Sequence, residues 1–271
     1  MTTSAPTIAG AGVEVRVIPV WQEQIRLRVQ SKGSGSALVF FHGPWGLAWD
    51  PFLDDLARHF TVYAPEHPGT GPETPDDAAK LDSLWDLVLC YDEMLEALGI
   101  ENAMFVGHSF GGMVAAEIAA AYPRRAKKLA LIAPLGFWRD ADRIKNWMML
   151  NPADIPAQVF ADPKSAGAQL LFGTPGSSDP DARVRMMWAM GATGKFIWPL
   201  PDKGLKKRIH RVKAPTLVIW GADDRLVPPV YAEEFTKRMP GARAELVAGA
   251  GHAPQLDEPE TLARMVRELV G

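Results

Sequence analysis

The sequence predicts an α/β fold, a mostly parallel central sheet flanked by helices on both faces. Three observations predict it. Continuous apolar runs such as Ala37-Leu38-Val39-Phe40-Phe41 and Thr216-Leu217-Val218-Ile219-Trp220 suit strands covered on both sides. These runs alternate with stretches of helical period. Between one such run, Asn102 to Val106, and a helix of small and apolar residues, Met113 to Tyr122, sits Gly107-His108-Ser109-Phe110-Gly111. Glycines on either side let the chain double back there. They lift the serine hydroxyl clear of the sheet, beside a helix N-terminus that favours developing negative charge.

Taken in order, residues 1–12 are expected to form a mobile tail. Val13 to Ile18 and Ile25 to Val29 alternate apolar and polar residues, as half-buried antiparallel strands do, and Ser31 to Ser36 is a turn. The strand Ala37–Phe41 follows, then a short one from Thr61 to Pro65. From Leu81 the period becomes helical: Leu81, Leu84, Trp85, Val88, Tyr91, Leu95 and Leu98 form one stripe, stopped by Gly99. Beyond the serine turn come strands at Leu129–Ile132 and Thr216–Trp220, a helix around Val230–Arg238, a strand near Ala244–Val247 and a final helix from Leu256 to Val270.

Residues 136–205 have a different texture. Trp138, Trp147, Met148, Met149, Met186, Met187, Trp188, Met190, Phe196 and Trp198 lie among prolines and glycines. The segment falls between two core strands, so it can rise above the sheet without breaking it. It is expected to be a lid, inserted into a core of residues 13–135 and 206–271, with some of its aromatics and methionines lining an apolar pocket.

Composition bounds the function. The chain has 271 residues, a net charge of −3 and a pI near 6.1, which does not suggest a nucleic-acid partner. Cys90 is the single cysteine, so no internal disulfide can form. The N-terminus has neither the basic residues nor the apolar run of a signal peptide, and no stretch approaches a membrane span. A cytoplasmic protein is expected, monomer or homodimer, with a small-molecule substrate. Gly69-Thr70-Gly71 lacks the remainder of a dinucleotide motif, and Cys/His metal-ligand spacings are missing, so neither cofactor nor metal is expected.

A serine becomes a nucleophile only beside a base, and the base needs an orienting acid. Both types occur after later strands, at the sheet edge where open α/β folds place ligands. Gly221-Ala222-Asp223-Asp224-Arg225-Leu226-Val227-Pro228 follows one strand. Gly249-Ala250-Gly251-His252-Ala253-Pro254 follows the next. With these residues the chain resembles the α/β-hydrolase-fold serine hydrolases over nearly its whole length. The resemblance implies Ser109 as nucleophile, His252 as general base and Asp224 as acid, with Asp223 its less favoured neighbour. It also implies an oxyanion hole. One donor is the Phe110 N–H; the other should come from the residue after His42-Gly43, which here is Pro44 and has no N–H. The Trp45 N–H is the expected replacement. His42 is expected to brace this loop. His108, Trp138, Trp147, Met148 and Trp188 are the candidate substrate-binding residues.

The implied activity is hydrolysis of a carboxylic ester, or a related acyl bond, of a small hydrophobic or aromatic substrate through an acyl-enzyme. Carbon–carbon cleavage of vinylogous diketones and lactone hydrolysis use the same triad. A ligand-binding receptor that kept the fold is the reading outside enzymes, and Pro44 is the residue that favours it.

Overall fold

The computed structural model describes residues 12–71, 73–173 and 180–269; the predicted tail, apart from Gly12, lies outside them. Eight strands form one sheet: β1 (Glu14–Val20), β2 (Ile25–Lys32), β3 (Ala37–Phe41), β4 (Thr61–Pro65), β5 (Ala103–His108), β6 (Ala126–Ile132), β7 (Thr216–Gly221) and β8 (Arg243–Val247). Their spatial order is β1-β2-β4-β3-β5-β6-β7-β8. The pairs β1–β2 and β2–β4 are antiparallel, and every other pair is parallel.

The helices are α1 (Pro51–Leu56), α2 (Leu84–Ala97), α3 (Phe110–Ala121), α4 (Ile155–Val159), α5 (Ala166–Phe172), α6 (Pro180–Ile197), α7 (Tyr231–Arg238), α8 (Pro254–Asp257) and α9 (Pro259–Glu268). Local chemistry starts several of them. Asp50 caps α1 by accepting the Leu53 N–H at 2.8 Å, with Pro51 in the first turn, where its missing N–H costs nothing. Ser83 and Asp86 form a reciprocal capping box on α2.

The apolar strands are buried on both faces, as their unbroken runs predict. Along β3, Leu38 and Phe40 join the core beneath α1 and α9, while Val39 and Phe41 join the one beneath α2 and α3. Fully burying each such side chain contributes about 1.5–3 kcal/mol. Two expectations need correction. Trp85, placed in the apolar stripe of α2, is half exposed; Leu87, Cys90 and Met94 complete the buried face instead. The final helix is two, because Glu258 precedes Pro259 and takes an extended φ of −132°, which breaks the helix there.

Residues 136–205 leave the sheet after β6 and return before β7. Within them lie α4, α5, α6 and a 3₁₀ turn at Trp147–Met149, and their side chains meet residues that follow β3 and β5: Trp147 meets Trp45 and Phe196 stacks on Phe110. The segment is tied to the core at specific points. The Val159 carbonyl, at the end of α4, accepts the His252 N–H at 2.7 Å, and Lys195 of α6 donates to the Ala78 carbonyl at 3.0 Å.

Candidate active site

The end of β5 turns directly into α3 at Ser109. Ser109 holds φ 53° and ψ −115°, a left-handed conformation that costs a residue with a Cβ about 1–3 kcal/mol. The neighbours leave the chain little choice. A Cβ at Gly107 would stand 2.4 Å from the Gly111 carbonyl oxygen, and one at Gly111 would stand 2.1 Å from that of Phe41. The Ser109 N–H donates to the Ile132 carbonyl at 2.9 Å and its carbonyl accepts the Leu135 N–H at 3.0 Å, which pins the turn to β6 and the residues behind it.

Three strand ends then bring three side chains into one line. The Ser109 hydroxyl donates to His252 Nε2 at 2.8 Å, and His252 Nδ1–H donates to Asp224 Oδ2 at 2.8 Å. Asp224 is held from three sides. Its Oδ1 accepts the N–H groups of Leu226 and Val227 at 2.9 and 2.8 Å, and its Oδ2 accepts the Trp220 indole N–H at 3.0 Å. Asp223 is outside this network and exposed. Ser109 and His252 are both fully buried. Such an arrangement can activate a hydroxyl: the imidazole takes its proton while the carboxylate fixes the tautomer.

The His42-Gly43-Pro44-Trp45 loop is built on buried histidines. His42 Nδ1–H donates to the Gly43 carbonyl at 2.6 Å, and His42 Nε2 accepts the His67 N–H at 3.0 Å. His67 Nε2–H in turn donates to the His42 carbonyl at 2.8 Å, and its Nδ1 accepts the Tyr91 hydroxyl. Burial pushes the His67 imidazole down to about 4 and His42 well below the usual histidine range, so both rings stay neutral. Every ring nitrogen has one fixed role. Phe110, the first residue of α3, places its N–H where a helix has no internal acceptor, and Trp45 supplies the first N–H after Pro44.

The unfolded chain protonates His67 near 6.5, the folded chain only near 4. Between those values the unfolded state binds the extra proton, so this group lowers stability as pH falls. His67→Gln removes that proton. Urea denaturation from pH 7 to pH 4.5 is expected to show a shallower loss of stability in the variant, by up to about 1.4 kcal/mol per pH unit.

Not every predicted residue joins the site. His108, expected against substrate, is buried. Its Nε2–H donates to the His252 carbonyl at 2.8 Å, and burial beside His252 pushes its pKa down to about 3, so it is a neutral prop for the histidine loop. Trp147 is buried and meets Trp45, with ring centroids 5.9 Å apart. Trp138 instead donates its indole N–H to Asp140 at 3.0 Å. Met148 packs its sulfur against Gly194, and Trp188 stands half exposed on α6. The sequence reading missed Trp220, His67 and Tyr91 as supports. Trp220 and Tyr91 read as ordinary core residues, and their polar ends matter only once their partners are in place. A cavity of about 490 Å³ opens to one side, lined by Trp85, Glu117, Phe196, Trp198 and Arg208 among others; Ser109, Asp224 and His252 are not among its lining residues. Among the described residues, no cluster of three metal-ligating side chains occurs and no helix is long and apolar enough to cross a membrane.

Known proteins resemble this chain in sequence. The sequence pattern of the alpha/beta hydrolase family matches residues 38–265. The chain is 30% identical over 258 residues to the dihydrolipoyllysine-residue acetyltransferase component of the acetoin cleaving system of Cupriavidus necator, covering 91% of this chain and 67% of that one. It is 27% identical to 2-hydroxy-6-oxo-6-phenylhexa-2,4-dienoate hydrolase of Burkholderia cepacia, covering 90% and 91%. It is 28% identical to pimeloyl-[acyl-carrier protein] methyl ester esterase of Vibrio campbellii, covering 89% and 97%.

Proposed function

The chain belongs to the alpha/beta hydrolase family, and from that premise we propose that it is a serine hydrolase cleaving a carboxylic ester of a small, uncharged, apolar or aromatic substrate. The observation that carries the reading is the unbroken chain of hydrogen bonds from Ser109 through His252 to Asp224. Ser109 Oγ bonds to the ester carbonyl carbon while His252 Nε2 takes the hydroxyl proton. The Phe110 and Trp45 N–H groups receive the oxyanion. His252 then gives its proton to the departing alcohol, leaving an acyl-serine. Water, deprotonated by the same imidazole, attacks that acyl group and frees the acid.

Residues 136–205 act in this reading as a lid. Ser109 and His252 are sealed from solvent, and the Val159 carbonyl of that segment holds the His252 N–H, so substrate enters only when the segment moves. The relative that acts on 2-hydroxy-6-oxo-6-phenylhexa-2,4-dienoate favours a second reading, hydrolytic carbon–carbon cleavage, in which the same triad serves a vinylogous diketone.

Turnover of p-nitrophenyl acyl esters of increasing chain length, run beside a vinylogous diketone, separates the two. Ester hydrolysis with no loss of the diketone supports the first reading, and the reverse result replaces it with the second. In either case Asp224→Asn is expected to lower kcat by about 10⁴, because an amide there stabilises the wrong imidazole tautomer. A kcat within tenfold of wild type would remove Asp224 from the mechanism.

A further inference from the structure

Two buried donors lack acceptors where the loop after β3 meets the 136–205 segment. The indole Nε1–H groups of Trp45 and Trp147 are sealed from solvent, and neither has a hydrogen-bond partner. The two residues are 5% and 3% exposed. Their rings lie 5.9 Å apart, and Trp45 also meets Phe172 edge-on at 5.4 Å. Gly43 lies between the Trp45 indole and the side chain of His108, the residue before Ser109. Trp45 Cδ1, bonded to Nε1, is 3.6 Å from the point where a Gly43 Cβ would stand, and His108 Nδ1 is 2.7 Å from that same point.

A buried N–H without a partner is costly, and folded proteins leave few of them. Packing alone does not call for these donors, since phenylalanine would supply an aromatic wall without one. Here they sit one on each side of the contact between the loop after β3 and residues 136–205.

We infer that Trp45 and Trp147 form an acceptor-binding subsite that holds a second oxygen of the substrate's acyl portion. This rests on the hydrolase reading above and narrows its substrate class. The donors are neutral and their other wall is the Phe172 ring, so a carboxylate would be stripped of water with no cation to match it. A neutral ketone carbonyl fits. When residues 136–205 open for substrate, the two rings part, and the carbonyl oxygen enters between them to accept the N–H groups.

The test uses ethyl esters of a straight-chain acid and of the same chain with one methylene replaced by a ketone at successive positions. Isothermal titration into the folded Ser109→Ala protein gives Kd for each, and turnover by wild type gives kcat/KM. At one ketone position, Kd is expected to fall about five- to tenfold relative to the all-methylene ester, a gain typical of one well-made hydrogen bond. Trp45→Phe and Trp147→Phe, each combined with Ser109→Ala, are expected to bring that ratio back toward one, whatever they do to absolute affinity. Equal Kd values at every ketone position, or a preference that survives both phenylalanine variants, would overturn the subsite. A keto preference in Kd with no turnover by wild type would leave the subsite standing and bring down the hydrolase reading instead. A fall in Tm in both variants with an unchanged keto ratio assigns the rings to packing alone.

Discussion

Ser109→Ala is expected to abolish ester turnover, lowering kcat by about 10⁵–10⁶ while the protein stays folded. The hydroxyl is bonded to His252 Nε2, at 2.8 Å, and alanine offers nothing to attack a carbonyl. His252→Ala is expected to match it, and the double variant to add little, since residues that act as one unit do not contribute additively. Removing the side-chain oxygen takes away one buried hydrogen bond and leaves the backbone of the turn in place. Circular dichroism and thermal unfolding should therefore change little while ester hydrolysis disappears. A Ser109→Ala protein that keeps a tenth of wild-type kcat would move the nucleophile elsewhere.

Gly111→Ala is expected to be a severely damaging single methyl group in the core, costing about 3 kcal/mol or more of stability. The added Cβ would lie 2.1 Å from the Phe41 carbonyl oxygen and 2.4 Å from that of His42, backbone atoms at the end of a central strand that cannot rotate away. Relief requires α3 to move off β3, and that shift carries Ser109, the Phe110 N–H and the His42–Trp45 loop apart together. Activity should fall with stability, even in whatever fraction still folds. Gly191→Ala is the matched control. It adds the same methyl inside α6 with nothing within 4 Å, and is expected to be neutral or stabilising by about 1 kcal/mol. Urea denaturation of the two side by side checks the contrast; equal effects would show that the close approach at Gly111 does not matter.

Much of this architecture could be read from the chain because its signals are local. The apolar runs of β3 and β7, the glycines about Ser109 and the positions of Asp224 and His252 after their strands each depend on neighbours in sequence. The supports around them do not. The Val159 carbonyl meets the His252 N–H across 93 positions, so only folding brings them together. His67 reads as a turn residue in Glu66-His67-Pro68-Gly69, yet it is buried and bonded to His42 and Tyr91, because β3 and β4 are adjacent in the sheet. Trp85 shows the opposite failure. Helical period placed it in the apolar stripe, but α2 turns that position toward solvent. Texture alone set residues 136–205 apart; where their aromatics go depends on packing, which stacks Phe196 on Phe110 beside Ser109 and sets Trp147 against Trp45, while Trp138 bonds Asp140 and Trp188 is half exposed.

The most direct test of the central claim is covalent labelling with a fluorophosphonate probe, with the modified residue mapped by peptide mass spectrometry. Phosphorus takes the place of the ester carbonyl, so the reaction needs only an activated hydroxyl and an oxyanion site. Wild type is expected to carry one adduct, on Ser109, with labelling lost in Ser109→Ala and nearly lost in His252→Ala. A folded wild-type protein that takes no label, or takes it on another residue, would contradict the account at its root, because the hydrogen-bonded chain from Ser109 to Asp224 would then not activate the serine.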